Sequence, residues 1–179
     1  MENPFVSLQP EKLWQYFYEI CQIPHCSKQE EKIVAYLIDF GKQLGLETIT
    51  DEVGNVVIRK PATPGNENKP SVALQSHVDM VCEKNADLEF DFCKDAIQPY
   101  IDGEWVKAKG TTLGADDGIG VATQMALLSS SDINHGPIEC LFTVDEETGL
   151  TGAFALKSNM LKSKILLNLD SEDEGEIFM

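Results

Sequence analysis

Three short apolar runs each end in a side chain that can hold a cation or move a proton. Val72-Ala-Leu-Gln-Ser leads into His77, Ile138 to Val144 leads into Asp145-Glu146-Glu147, and Lys164 to Leu169 leads into Asp170. Short, mostly apolar runs of this kind read as interior strands. The segments between and before them repeat apolar residues at three and four, which reads as helix. Helices alternating with such strands predict an α/β fold, a sheet covered on both faces. In such sheets, ligands bind outside the carboxyl ends of the strands. Three separate strands therefore bring an imidazole and several carboxylates to one edge.

A fourth contribution comes from Gly110-Thr-Thr-Leu-Gly114-Ala-Asp116-Asp117-Gly118-Ile-Gly120. Glycines on both sides of an acid pair allow unusual dihedrals or a close backbone approach. Two adjacent carboxylates need something positive beside them, and a metal ion is the simplest candidate. The stretch is no phosphate loop. It lacks G-x-G-x-x-G and G-x-x-x-x-G-K-[ST], and its acids would repel phosphate.

Along the chain, Pro10 to Ile23 reads as an amphipathic helix with Pro10 at its first position. Ser27-Lys-Gln-Glu30 has the capping-box pattern and predicts the start of a second helix, ending near Gly41 to Gly45. Leu46–Thr50 and Asn55–Arg59 read as strands, Asp102-Gly103 as the turn of a hairpin, and Val121 to Leu128 as a helix. His25 and Cys26 have no nearby partners to complete a ligand set.

Composition narrows the partners. The net charge of -16 argues against nucleic acid and anionic membranes. No apolar run approaches the ~20 residues of a membrane span. The five cysteines (Cys21, Cys26, Cys82, Cys93, Cys140) are odd in number and form no Cys-x-x-Cys. That predicts reduced thiols in a cytosolic protein. Met-Glu-Asn-Pro does not open a signal peptide.

One imidazole with several carboxylates suits Zn²⁺, Co²⁺ or Mn²⁺ better than an all-oxygen Mg²⁺ or Ca²⁺ site. A bridged metal pair about 3.5–4 Å apart activates water for attack on a carbonyl. Asp79 returns to the side of His77 and is placed to accept its second ring N–H. Of Glu146 and Glu147, one ligates and the other serves as general base. Taken singly, each signal has a plainer reading: a hydrogen-bonded histidine, a helix-capping acid, a solvated acidic turn at Asp170.

At these residues the chain resembles the M20 family of metallopeptidases. The resemblance rests on Ser76-His77-Val-Asp79-Met80-Val81, Gln98 to Ala108, Gly110 to Asp116, Asp145-Glu146-Glu147-Thr-Gly149 and Asn168-Leu-Asp170. It implies a three-layer α/β/α zinc-peptidase sandwich with a mixed, mostly parallel sheet. It implies two Zn²⁺ per complete site: His77 and Asp170 on one, Glu147 on the other, Asp116 bridging both. Glu146 is then the general base, Asp79 orients His77, and the peptide after Asp116 is cis. The implied reaction is hydrolysis of unblocked dipeptides of the Xaa-His type by a cytoplasmic enzyme that is a homodimer at full length.

The related dipeptidases often carry Ala-Asp-Asn-Gly where this chain has Asp117; that residue is not a ligand in the pattern. A further family histidine has no match, since only His25, His77 and His135 occur. Residues 1–179 resemble the N-terminal part of the catalytic domain, without the inserted lid and dimerisation domain or the C-terminal catalytic segment. The chain is expected to stop at Met179 inside a strand and to be inactive alone. A non-catalytic metal-binding or interaction domain is the competing reading. A Mg²⁺-dependent phosphoryl-transfer enzyme is a third, opposed by His77.

Overall fold

The apolar runs form the middle and one side of a five-stranded sheet. The computed structural model describes residues 2–171 and 175. In chain order the elements are α1 (Glu11–Cys21), α2 (Glu31–Gln43), β1 (Glu47–Thr50), β2 (Val56–Lys60), β3 (Val72–His77), β4 (Pro99–Asp102), β5 (Trp105–Ala108), α3 (Ala115–Ser129), β6 (Ile138–Thr143), α4 (Thr151–Ala155) and β7 (Ile165–Asn168). The large sheet has the order β1-β2-β6-β3-β7, and β4 and β5 make a separate hairpin. β3 runs parallel to both neighbours, while β1–β2 and β2–β6 are antiparallel. The fold is thus α/β with a mixed sheet, its parallel half holding the three predicted ligand strands.

α1, α2 and α3 cover one face through Phe17, Ile20, Ile33, Leu37, Val121 and Met125, packed on Val56, Ile58, Cys140 and Phe142. All of these are at most 2% exposed, and each such side chain contributes on the order of 1.5–3 kcal/mol by leaving water. The opposite face holds a smaller cluster, Val57, Leu141 and Met160, with Ile49, Leu156 and Leu161 against it. At β7 the cover thins: Leu166 and Leu167 are each 50% exposed. The expected strand around Met179 lies outside the described residues.

Three local expectations are corrected. Pro10 stands one residue before α1, in extended geometry. The Ser27–Glu30 capping box does not form. Glu30 itself occupies the N-cap of α2 without a side-chain cap bond, and the Ser27 hydroxyl donates instead to Asp79 Oδ2 at 2.7 Å. A partner distant in sequence outcompetes the local cap. Finally, Cys26 and Cys82 are disulfide-bonded, their Cα atoms 5.7 Å apart across 56 residues of sequence, while Cys21, Cys93 and Cys140 are free. Folding places the Cys26 loop beside the chain leaving β3, where Met80 N donates to His25 O at 3.1 Å; no spacing rule reveals that neighbourhood.

Candidate metal and catalytic site

Strand register assembles the site. His77 pairs with Thr143 and Gln75 with Asn168. The pairing continues as Leu169 N donates to Gln75 O (2.9 Å) and Val78 N to Thr143 O (2.9 Å). Two residues past Asn168, Asp170 therefore arrives level with His77. The turn beyond Thr143 delivers Glu146 and Glu147 to the same edge.

The fourth segment is the start of α3. Gly114, with φ 72°, precedes the helix in a left-handed conformation, and a Cβ there would press on Met80 Sδ at 2.8 Å. Only glycine satisfies both conditions. Asp116 and Asp117 have non-helical dihedrals, and the peptide between them is cis, as the family resemblance implies. The two acids part company here. The Asp116 side chain is 72% exposed, whereas Asp117 is buried.

His77 is buried at the junction. Its Nε2 lies 3.0 Å from Asp116 Oδ1 and 3.9 Å from Asp170 Oδ2. Its Nδ1 lies 3.0 Å from the main-chain oxygen of Asp79 and 3.5 Å from Asp79 Oδ1. The ring is thus oriented chiefly by the Asp79 carbonyl, with the carboxylate behind it. His77, Asp116 and Asp170 each offer a ligand atom within 4.8 Å of one another, and so do His77, Glu146 and Glu147. Burial by itself would lower the His77 pKa, but hydrogen bonds to Asp79 and Asp116 and the charges of Asp79 and Asp117 outweigh it and raise it to about 10.

The Asp79 carboxylate does more than face the ring. Its Oδ1 accepts the Glu146 N–H at 2.9 Å and its Oδ2 the Glu147 N–H at 3.2 Å, besides the Ser27 hydroxyl. Burial would raise its pKa, yet His77 and these donors bring it down to about 2. Asp79 therefore fastens the Glu146-Glu147 turn to the end of β3. The same turn is shaped by Asp145, at φ 51°, which accepts the Thr148 and Thr151 hydroxyls. Glu30 Oε1 accepts the Asp145 N–H at 3.0 Å. Burial raises the pKa of both Glu146 and Glu147, and neighbouring carboxylates raise it further against the lowering effect of His77. A carboxylate pushed upward in this way is a better proton acceptor.

All six sequence-predicted residues thus gather at this edge, and a cavity of about 410 Å³ opens beside Asp116, Asp117 and Asp170. His25 and His135 join neither group; their Nδ1 atoms face the carbonyls of Ile23 and Gly136. The sequence reading missed Ser27 and Glu30, whose signal was absorbed by the capping-box pattern, and the inward turn of Asp117.

No protein-family model matches the chain. It is 55% identical over 172 residues to the cytosol non-specific dipeptidase of Escherichia coli, a match covering 96% of this chain and 36% of that protein. The crystal structure of an aminoacylhistidine dipeptidase from Vibrio alginolyticus superimposes with a TM-score of 0.93 at 57% identity, over 96% of this chain and 35% of the other. A tripeptidase from Staphylococcus aureus superimposes with a TM-score of 0.76 at 27% identity, over 91% and 44%. The chain therefore spans little more than a third of the length of its two more similar relatives. By this identity and this superposition, the chain shares the fold of part of these dipeptidases, and in the motifs named above it resembles the M20 family of peptidases.

Proposed function

We propose that the residues around His77 are the metal centre of a peptidase that hydrolyses unblocked dipeptides, those of the Xaa-His type among them. The carrying observation is that His77, Asp116 and Asp170 offer ligand atoms within 4.8 Å of one another, with Glu146 and Glu147 brought to the same imidazole. One imidazole nitrogen among carboxylate oxygens fits Zn²⁺, with Co²⁺ or Mn²⁺ as substitutes. In this reading His77 and Asp170 would hold one ion and Glu147 the other, with Asp116 shared between them. Bound there, the ions would supply Lewis acidity and lower the pKa of water. Glu146 would be the base that takes up a proton from the attacking water. Asp79 keeps the His77 ring and the Glu146 main chain in place from behind.

The names of the relatives support the reaction class: a cytosol non-specific dipeptidase and an aminoacylhistidine dipeptidase. They also motivate a cytoplasmic location and, with the family resemblance, a homodimeric full-length enzyme of which residues 1–179 form the N-terminal part of the catalytic domain. Zinc stoichiometry of the purified chain, with His77→Ala alongside, tests the centre. Loss of bound zinc in the variant is expected, and unchanged zinc content would refute the site. Hydrolysis of Xaa-His dipeptides by the longer protein tests the chemistry. Glu146→Ala is expected to lower kcat by at least about 10²-fold, the scale of a lost general base, and a variant as fast as the parent would remove Glu146 from that role. The 179-residue chain alone is expected to turn over slowly or not at all.

A further inference from the structure

Behind the ligands lies a second, buried polar layer. Ser76 is the residue before His77, and Asp117 the residue after Asp116. Both are buried, as is Gln124 one to two turns along α3. The Ser76 hydroxyl and the Asp117 carboxylate lie beside each other, both against the position a Cβ on Gly120 would occupy. With the Gln124 amide turned so that its oxygen faces these donors, that oxygen accepts the Ser76 hydroxyl at 2.8 Å and the Ser76 N–H at 3.2 Å, while the amide nitrogen donates to Leu74 O at 3.2 Å. Asp117 Oδ1 accepts the Gly120 N–H at 3.2 Å, and its Oδ2 is buried without a partner among the described residues. Gly120 leaves the room for this: a Cβ there would collide with Asp117 Oδ1 and Ser76 Oγ.

A buried acid with one oxygen unsatisfied is costly where only packing is needed. Its position suggests what the cost maintains. The Ser76–Asp117 contact ties the end of β3 to the start of α3, one residue behind each of two candidate ligands. We propose that Asp117, with Ser76 and Gln124, is a positioning unit that sets the separation of His77 and Asp116 and thereby the affinity of the site for its metal. The proposal rests on the assignment of those two residues as ligands.

The test is Zn²⁺ affinity of the chain by competition with a chromophoric chelator, together with the melting temperature of the metal-free protein. Ser76→Ala and Asp117→Ala are expected to weaken Zn²⁺ binding by about 10- to 100-fold, the usual scale for groups that orient ligands. Asp117→Asn keeps the acceptor for the Gly120 N–H and nearly the same volume beside Ser76, and is expected to bind close to the parent. It also provides the readable variant if the alanine changes prevent folding. If all three variants bind Zn²⁺ like the parent while only their melting temperatures fall, the unit is structural and the proposal is overturned. If Asp117→Asn, folded, binds as weakly as Asp117→Ala, hydrogen-bond geometry is not what sets affinity, and the proposal also fails. His77→Ala separates the two levels: if the parent binds no Zn²⁺, or His77→Ala binds it equally well, the ligand assignment itself has failed.

Discussion

At the scale of single residues, the site is a balance of charges held apart by backbone. Burial of His77 pulls its pKa down, but hydrogen bonds to Asp79 and Asp116 and the charges of Asp79 and Asp117 outweigh it and lift the pKa to about 10 from an ordinary 6.5. A raised pKa means that the folded state holds the proton more tightly than the unfolded chain. In the metal-free protein this contribution is complete below pH 6.5 and disappears as pH rises towards 10. Urea titrations across that window should show falling stability in the parent and a flatter profile in His77→Gln; equal slopes would contradict the assignment. Asp79 acts with the opposite sign. Asp79→Ala strips an acceptor from the Glu146 N–H, the Glu147 N–H and the Ser27 hydroxyl. A loss of about 1–3 kcal/mol is expected in chemical denaturation, the scale of a buried donor left unpaired. Gly120→Ala should cost a similar ~1–3 kcal/mol through overpacking against Asp117 and Ser76.

At the scale of elements, the site depends on how the chain is led from α4 into β7. Glu139, buried on β6, is the fastening point. Its Oε1 accepts from Arg59 Nε on β2 at 2.8 Å, and its Oε2 accepts the N–H groups of Lys162 and Ser163. Those two residues precede β7, the strand that presents Asp170. Burial pushes the Glu139 pKa up, but Arg59 and the Ser163 and Lys162 donors outweigh it and hold the carboxyl below its ordinary 4.5. A depressed acid stabilises above its unfolded pKa, so this contribution is present above about pH 4.5 and lost as pH falls through the folded value. Glu139→Ala leaves Arg59 without its buried partner. Arg59 keeps Glu47 and the Met160 carbonyl, while the Lys162 and Ser163 N–H groups lose their acceptor; a cost of about 1–3 kcal/mol is expected, measured by thermal or urea unfolding. Because β7 is released, Zn²⁺ affinity should fall as well.

At the scale of the whole molecule, two features oppose each other. The net charge of -16 keeps copies of the chain apart. Among the described residues, however, β7 is an edge strand, with Ile165 45%, Leu166 50% and Leu167 50% exposed. Exposed apolar edges pair with other chains. Salt screens the repulsion and leaves the apolar edge untouched. Light scattering should therefore rise with ionic strength, and Leu166→Lys should suppress the rise; insensitivity to both would show that β7 is not the adhesive edge.

The sequence by itself determined the ladder of strands and helices and the chemical type of each site residue. Val72 to His77 and Ile138 to Thr143 are legible as interior strands because burial on both faces demands continuous apolar side chains. His77, Asp79, Asp116, Glu146, Glu147 and Asp170 are legible as candidates because they sit where strands end or glycines crowd. Contacts between segments far apart in the chain were not legible. The capping box at Ser27 was a sound local reading overturned by Asp79, 52 residues away. Reduced thiols were a sound compositional reading overturned at Cys26 and Cys82. Only the tertiary structure placed β3 between β6 and β7, two strands that follow it much later in the chain. That order is set by packing and hydrogen-bond register, which local periodicity does not encode. It brings Asp170 level with His77 and makes one residue, Asp79, the anchor of both the ring, through its main-chain oxygen, and the glutamate turn, through its carboxylate.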